Sequence, residues 1–158
     1  MKYRIGFGYD VHQLKEGEEL ILGGVKLNHT KGTIGHSDAD ALVHAICDAL
    51  LGAANLGDIG QHFSDTAEEF KDIDSLILLK KVIELIGEKG YSVGNIDCTL
   101  CLELPKIAPH IEEMAKTLSS TMGCDRADVS IKATTNEKMG FVGREDGVAA
   151  YAVALISS

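Results

Sequence analysis

The chain of 158 residues has two prolines, no tryptophan and an aromatic content of 5%. No run approaches the roughly 18 consecutive apolar residues of a membrane-spanning helix, which excludes that class of protein. Basic residues are also scarce, since 15 Lys and Arg stand against 24 Asp and Glu for a net charge of −9. Without a basic stripe, binding to nucleic acid or to an anionic membrane is disfavoured. No proline- or serine-rich linker divides the chain, so we expect a single domain over residues 1–158.

The first residues contain neither the unbroken apolar stretch of a secretory signal nor the Ser and Arg enrichment of a transit peptide. We therefore expect a cytoplasmic location. The composition, 45% hydrophobic and 25% charged, is typical of soluble globular proteins. The chain is negatively charged, so binding a phosphate substrate would require a local positive charge at the site. Bound cations supply such a charge most directly.

Hydrophobic periodicity predicts strands and helices that mix along the chain. Predicted strands cover residues 3–12, an extended region 19–27 with a turn at Gly23-Gly24, 95–104, 129–133 and 148–156. Predicted helices run from an N-cap at Ser37 or Asp38 to about Ala54, from 75 to 89, and from near Pro109 to Gly123. This pattern predicts an α/β (α+β) two-layer sandwich, a mixed β-sheet with helices packed on one face.

The first strand carries a candidate metal-binding pair. Asp10 and His12 stand two residues apart, so both side chains lie on one face of a strand. Gly6 and Gly8 precede them on that face, and we expect open space beside them. Alone, the Asp-x-His pattern is a weak signal that occurs by chance in many chains.

The following helix offers a third ligand. Its otherwise apolar sequence carries a polar stripe of Asp40, His44 and Asp48, and buried polar groups need partners. With Asp10 and His12, His44 would complete three ligands and leave a fourth position open, as in a catalytic zinc site. Asp40 could accept the second N–H of His44. A buried histidine that is hydrogen-bonded to carboxylates explains the same residues equally well.

Two further motifs carry weaker signals. His36 and Ser37 lie at the helix entrance, where first-turn N–H groups can bind an anion and a histidine can add a donor. An ordinary helix cap is the simpler interpretation. Cys98 and Cys101 form a C-x-x-C pattern, which can bind zinc or act in redox chemistry. A spacing of three puts the two thiols on opposite faces of a strand, which favours free thiols.

A loop rich in hydroxyl and cationic side chains follows the strand at 129–133. It runs from Lys132 to Arg144 and is punctuated by glycines. Backbone N–H groups, threonine hydroxyls and a guanidinium suit phosphate oxygens. Within the loop, Glu137 could hold a hard cation such as Mg²⁺. The chain has no Walker A sequence and no complete G-x-G-x-x-G, so a standard nucleotide-binding fold is disfavoured.

A series of motifs, in order between about residues 3 and 156, carries a family resemblance. The motifs are Gly8-Tyr9-Asp10-Val11-His12, Gly23-Gly24-Val25, His36-Ser37-Asp38-Ala39-Asp40 with His44, Leu50-Leu51-Gly52-Ala53-Ala54, Gly57-Asp58-Ile59-Gly60, Lys132-Ala133-Thr134-Thr135 and Glu137-Lys138-Met139-Gly140-Phe141. Each is modest alone, but their order and spacing together are specific. In these motifs the chain resembles the 2-C-methyl-D-erythritol 2,4-cyclodiphosphate synthases.

The resemblance implies a metal-dependent enzyme of non-mevalonate isoprenoid biosynthesis. Such an enzyme is a phosphorus-oxygen lyase that cyclises 4-diphosphocytidyl-2-C-methyl-D-erythritol 2-phosphate and releases CMP. The small cytidine diphosphate substrate is then the main partner, and the 2-phosphate of the same molecule attacks the β-phosphorus, so no water is consumed. The resemblance further implies a homotrimer with active sites at the subunit boundaries.

The resemblance also implies roles for individual residues. Zinc, or another divalent transition metal, would be bound by Asp10, His12 and His44, and Mg²⁺ or Mn²⁺ by Glu137. His36 and Thr135 would stabilise the transition state. Substrate contacts would come from Asp10, His12, His36, Ser37, Asp58, Ile59, Gly60, Phe63, Asp65, Leu102, Pro105, Lys106, Ala108, Ala133, Thr134, Thr135, Phe141 and Arg144. Among these, the segment 102–108 with Thr134 and Thr135 would form a cytosine pocket.

Two other functions use the same residues. A zinc hydrolase would use the three ligands to activate water and cleave a phosphodiester or a pyrophosphate. A non-catalytic trimeric binding module with a structural metal would need a closed site of four ligands, for which His36 is the best additional residue.

Overall fold

The computed structural model describes residues 1–63 and 73–158. Its strands are β1 (Tyr3–Glu16), β2 (Leu20–Leu22), β3 (Val25–Leu27), β4 (Lys31–Thr33), β5 (Ser92–Cys101), β6 (Val129–Thr134) and β7 (Gly147–Ser157). Its helices are α1 (Ala41–Ala54), α2 (Ile59–His62), α3 (Ser75–Glu88), α4 (Ile111–Met122) and α5 (Gly140–Gly143). Short 3-10 turns lie at Ala108–His110 and Arg126–Asp128.

Five of these strands form a mixed sheet in the order β4-β1-β7-β5-β6. β5 and β6 run parallel, and the other neighbours are antiparallel. β2 and β3 form a separate hairpin whose turn is Gly23-Gly24, as the sequence predicts. The mixed α/β architecture is therefore confirmed.

Helix α1 packs directly on the backbone of β1. A Cβ atom on Gly8 would lie 1.9 Å from the carbonyl oxygen of Ala45, and one on Gly6 would lie 2.0 Å from that of Ala49. The expectation of open space beside these glycines was therefore wrong, because the backbone of α1 fills it. The close contact brings the helix bearing His44 against the strand bearing Asp10 and His12.

Helix α1 starts at Ala41, two to three residues later than predicted, with Asp40 rather than Ser37 or Asp38 as its N-cap. Ala39 has a left-handed φ of 55°, which is incompatible with a helix at that position. Asp40 accepts the N–H groups of Gly23, Gly24 and Val43 at 2.7–3.1 Å. Its carboxylate therefore occupies the helix entrance, where an anion site was considered.

Asp40 is fully buried, and burial raises its pKa to about 6 although its three N–H donors act in the opposite direction. It joins the β2–β3 turn to the start of α1. The helix then continues to Ala54, as predicted, and ends at Asn55 with a left-handed φ of 57°.

The later elements follow the predicted pattern with shifted ends. Helix α3 ends one residue before the predicted boundary, and α4 ends at Gly123 as expected. Pro109 lies in the 3-10 turn that leads into α4. Strand β5 covers Ser92–Cys101 rather than 95–104, because the chain leaves the sheet before Glu103, whose carboxylate turns to the loop after β6.

The thiols of Cys98 and Cys101 are free. Cys98 is buried and Cys101 is half-buried, as expected from an odd spacing along a strand, so the interpretation as free thiols is confirmed. Within residues 1–63 and 73–158, no helix combines the length and the apolar character needed to cross a membrane.

The sheet face opposite α1 is apolar and exposed. β1 and β7 pair in a register that places Phe7 opposite Val153 and Tyr9 opposite Tyr151. The ring centroids of Tyr9 and Tyr151 are 5.1 Å apart. The exposed apolar and aromatic side chains of this face include Tyr3, Ile5, Phe7, Tyr9, Val11, Tyr151 and Val153.

Candidate functional site

Asp10, His12 and His44 converge where β1 meets α1. Asp10 Oδ2 lies 2.8 Å from His12 Nε2 and 3.0 Å from His44 Nδ1, and the two nitrogens are 3.2 Å apart. Ligands about 2.0–2.1 Å from a tetrahedral zinc ion would be separated by about 3.3 Å. In the part of the chain that the structure describes, this is the one group of three histidine, cysteine or acidic ligands able to share an ion. The set therefore fits a divalent metal.

The ring of His12 is oriented so that one of its nitrogens can bind a metal. Its Nδ1 lies 2.9 Å from the carbonyl oxygen of Ile34, which can only accept a hydrogen bond. Nδ1 therefore carries a proton, and Nε2 faces the cluster. A backbone carbonyl that orients a histidine in this way is a common feature of metal sites.

Asp10 and His12 shift each other's proton affinity. Burial alone would raise the pKa of Asp10, but hydrogen bonds and charges of His12 and His44 outweigh it and lower the pKa to about 2. Burial alone would lower the pKa of His12, but the hydrogen bond and charge of Asp10 outweigh it and raise the pKa above 6.5. The metal-free cluster therefore behaves as a carboxylate–imidazolium pair at mildly acidic pH.

This pair predicts a pH-dependent contribution to the stability of the metal-free protein. Because the pKa of Asp10 is lower in the folded state, its contribution is present above pH 3.8 and lost as the pH falls toward 2. Because the pKa of His12 is raised, its contribution is present below pH 6.5 and lost at higher pH. Near pH 5 we expect wild type to have a free energy of unfolding about 2 kcal/mol higher than that of Asp10→Asn.

Urea unfolding in the presence of a chelator measures that difference. The difference in free energy of unfolding between the two proteins should become smaller below pH 3, and again as the pH rises well above 6.5. A difference that stays constant across this range would contradict the prediction.

The far side of the His44 ring contacts two serines. Nε2 lies 2.9 Å from Ser75 Oγ and 3.1 Å from Ser37 Oγ. The prediction that Asp40 accepts this N–H was wrong, because Asp40 is occupied by the backbone donors of the β2–β3 turn and α1. Ser75 was missed because it lies 31 residues from His44 in the chain.

A cavity of about 410 Å³ opens beside the three ligands. Several residues predicted to contact substrate line it together with the cluster, namely His36, Ser37, Ile59, Gly60 and Phe63. Asp58 caps α2 by accepting the N–H of Gln61. Asp65, predicted to contact substrate, lies outside the described residues.

A second cavity, of about 210 Å³, lies between the segment after β5 and the end of β6. Of the segment 102–108 predicted for a cytosine pocket, all residues except Leu104 line it, together with Thr134 and Thr135. Ala133, predicted as a substrate contact, also lines it. Among the residues that the structure describes, none lines both cavities. In the sheet register, Asp10 of β1 lies opposite Ala150 of β7, which lies opposite Leu100 of β5, which pairs with Ala133 of β6. The backbones of Asp10 and Ala133 are therefore three strand spacings apart, or about 14 Å.

Glu103 ties the loop after β6 to this second cavity. Its side chain is 3% exposed and accepts the N–H groups of Asn136 at 2.9 Å and Lys138 at 3.3 Å. It also pairs with Lys138 Nζ at 3.1 Å, and these bonds lower its pKa although burial opposes them. The loop residues Glu137 and Lys138 adopt left-handed φ angles of 51° and 65°. Glu103 therefore stabilises the turn that presents Glu137 to solvent.

The cationic side chains of this region are already paired. Lys132 contacts Asp97, and Arg144 Nε lies 3.0 Å from Asp146 Oδ2. With Lys138 on Glu103, each cation considered for phosphate binding has a carboxylate partner. Glu137 and Phe141 are not among the residues that line the metal-ligand cavity.

Comparison with known proteins identifies the family. The model of the YgbB family matches residues 3–157, nearly the whole chain. The chain belongs to the YgbB family. A relative in Bacteroides thetaiotaomicron, named 2-C-methyl-D-erythritol 2,4-cyclodiphosphate synthase, is 64% identical over 156 residues, or 99% of this chain and 98% of that one. A Cytophaga hutchinsonii protein of the same name is 61% identical, with the same coverage.

Solved structures of YgbB-like chains have the same fold. A 2C-methyl-D-erythritol-2,4-cyclodiphosphate synthase, also solved in a CDP-bound form, superposes with a TM-score of 0.90 at 34% identity and covers 98% of this chain and 100% of that one. The bifunctional IspDF of Campylobacter jejuni gives a TM-score of 0.94 at 38% identity over 98% of this chain. The chain spans 42% of that bifunctional protein.

Proposed function

We propose that the protein is a 2-C-methyl-D-erythritol 2,4-cyclodiphosphate synthase of non-mevalonate isoprenoid biosynthesis. Its substrate would be 4-diphosphocytidyl-2-C-methyl-D-erythritol 2-phosphate. An oxygen of the 2-phosphate bonds to the β-phosphorus, the bond from that phosphorus to the oxygen shared with the α-phosphate breaks, and CMP leaves with that oxygen. The observation that carries the proposal is the convergence of Asp10, His12 and His44 beside a cavity, in a chain that matches cyclodiphosphate synthases along its length.

The reaction asks the protein mainly for alignment and charge neutralisation. Asp10, His12 and His44 would hold zinc or another divalent transition metal, and Glu137 would hold Mg²⁺ or Mn²⁺. Such cations act as Lewis acids toward phosphoryl oxygens and supply the positive charge that a chain of net charge −9 lacks. No general base is required, because the attacking phosphate is already anionic.

The chain's own donors then orient the substrate. His36 and Ser37 line the cavity beside the metal ligands and can donate hydrogen bonds to the attacking phosphate. Ile59, Gly60 and Phe63 also line this cavity. We propose His36 and Thr135 as the groups that stabilise the transition state, and Asp58, Asp65, Phe141 and Arg144 as further substrate contacts.

The second cavity is proposed to bind cytosine. Its walls are mostly apolar, and the hydroxyls of Thr134 and Thr135 and the ammonium of Lys106 offer polar contacts for a base. The CDP-bound form of the related synthase supports a cytidine nucleotide as ligand of this fold.

We further propose that three copies of the chain assemble around the exposed apolar sheet face. The metal-ligand cavity and the second cavity lie on different strands and share no residue within 1–63 and 73–158, so a neighbouring copy could bring the two together. Ile5, Phe7, Tyr9 and Val11 are 42–75% exposed on one strand, a stripe that association would bury. The cytoplasmic location stays a prediction.

Light scattering tests this assembly. We expect a mass three times the 16.9 kDa of the chain, and we expect Tyr151→Asp to dissociate the assembly because it places a charge within the apolar face. Ile77→Asp is the matched control, since Ile77 is 48% exposed on α3, outside that face. A wild-type chain that remains monomeric at micromolar concentration would contradict the proposal.

Incubation with the cytidyl substrate, Zn²⁺ and Mg²⁺ tests the reaction itself. Phosphorus NMR should show a cyclic diphosphate together with CMP. The relatives named above are synthases, so hydrolysis is not favoured, and mass spectrometry separates the two reactions. Hydrolysis adds the mass of one water across the products, whereas cyclisation adds none. Products that carry this additional water would overturn the proposed function.

A further inference from the structure

Ser75, the first residue of α3, is fully buried and contacts the side of the His44 ring that faces away from the cluster. His44 Nδ1 faces Asp10 and His12, whereas Nε2 lies 2.9 Å from Ser75 Oγ. Ser75 does not line the cavity that contains the three ligands. It can therefore act only through His44.

Asp38 determines where the hydroxyl proton of Ser75 points. Asp38 Oδ1 forms a short hydrogen bond with Ser75 Oγ, and Asp38 Oδ2 accepts the backbone N–H of Ser75 at 3.0 Å. A carboxylate can only accept hydrogen bonds, and a hydroxyl has a single proton to donate. The proton of Ser75 is therefore directed to Asp38, and a lone pair of Oγ faces His44 Nε2.

This arrangement selects one form of the His44 ring. Nε2 must donate to Ser75, so Nε2 carries a proton, and in the neutral ring it is Nδ1 that presents its lone pair toward Asp10 and His12. A metal ligand needs that free lone pair. Ser37 Oγ, 3.1 Å from Nε2, can accept from the same N–H, but it lies on the cavity wall.

We propose that Asp38 and Ser75 are positioning residues that set the tautomer and orientation of His44 for metal binding. The inference rests on the metal site of the proposed function. Asp38 also accepts the N–H of Asp40 at 3.2 Å, and its own N–H donates to the carbonyl of Ile73 at 3.2 Å. The pair thereby joins the entrances of α1 and α3 around the histidine.

The test measures Zn²⁺ affinity by competition with a chromophoric chelator. Ser75→Ala removes the acceptor, and Asp38→Asn offers an amide that donates to Oγ, so that the Ser75 proton turns toward Nε2. We expect each to weaken Zn²⁺ binding by about 10- to 100-fold. Ser75→Thr keeps the hydroxyl and should recover most of the affinity. Asp74→Ala is the control, because it removes the cap of α3 at Leu76 without contacting His44.

Nitrogen NMR of the histidine rings in the metal-free protein supplies a second readout. Wild type should show His44 protonated at Nε2, and Asp38→Asn should shift it toward protonation at Nδ1. A role that was only structural would not move this tautomer. If Ser75→Ala fails to fold, the spectra of wild type and Asp38→Asn still show whether Asp38 and Ser75 set the tautomer of His44.

Two results would overturn the inference: wild-type Zn²⁺ affinity in folded Ser75→Ala and Asp38→Asn, or a His44 ring that carries no proton on Nε2 in the metal-free wild type. Failure of the proposed metal site looks different. In that case wild type itself would bind no Zn²⁺, whatever the tautomer of His44.

Discussion

Replacing His44 with alanine is expected to lower kcat/KM for cyclodiphosphate formation by about a thousandfold or more. The substitution removes Nδ1, which lies within 3.2 Å of the other two ligand atoms, and leaves Asp10 and His12 as an incomplete pair. Lewis-acid stabilisation of a phosphoryl transition state contributes several kcal/mol, and about 4 kcal/mol corresponds to this factor. Steady-state kinetics and metal content by mass spectrometry measure the effect.

His29→Gln is the matched control for His44→Ala. His29 follows β3 and is not among the residues that line the metal-ligand cavity, so its substitution should leave bound metal and turnover unchanged. A His44→Ala protein that retained both its metal and its turnover to within tenfold would refute the assigned ligand set.

Gly8→Ala is expected to destabilise the protein by about 3 kcal/mol or more. The added Cβ would lie 1.9 Å from the carbonyl oxygen of Ala45 and 2.8 Å from the nitrogen of Ala49, both backbone atoms of α1. Backbone cannot rotate away as a flexible side chain can, so the helix must move off β1. Chemical denaturation measures the loss of stability.

The same variant should also weaken metal binding under conditions in which the protein remains folded. Gly8 is two residues from Asp10, and Ala45 is next to His44, so a displacement at this contact separates the ligands. Gly52→Ala is the matched control on the same helix, since Gly52 is exposed with nothing within 4 Å of an added Cβ. It should stabilise the protein by about 1 kcal/mol and leave metal affinity unchanged. Equal stability of the two variants would contradict the close packing of α1 on β1.

Local patterns predicted the parts of the site that lie within one element. The alternation of β1 placed Asp10 and His12 on one face, and the apolar helix singled out His44. The structure brings these side chains together. The segment 102–108 and the end of β6 likewise line one cavity. Their assigned roles stay predictions.

Errors arose where a distant segment competes for a polar group. Asp40 was expected to support His44, but the glycine turn between β2 and β3 supplies donors that take its carboxylate. Ser37 was a reasonable N-cap from its type, but Ala39 is left-handed and Ser37 Oγ faces His44 instead. The partners of Asp40 and Ser37 cannot be predicted from the residues next to them in the sequence.

The residues of the candidate site that were missed are those whose partners are far away in the chain. Ser75 contacts His44 across 31 residues, and Glu103 binds Asn136 across 33. Glu103 did leave a local signal, since it is a carboxylate between two leucines at the end of a buried strand. Such a group must find donors when buried, although the sequence does not say which ones.

Periodicity and residue type alone determined the mixed α/β class and the principal helices and strands, and indicated Asp10, His12 and His44 as candidate metal ligands. These features depend on short-range geometry, which repeats every two residues in a strand and every 3.6 in a helix. Only the tertiary structure decided that α1 lies on the glycine backbone of β1, that Asp40 caps a helix, and that Asp38 and Ser75 contact His44. The first depends on how closely two backbones fit together, and the other two depend on which distant polar groups meet in the packed chain, where burial makes an unpaired donor costly.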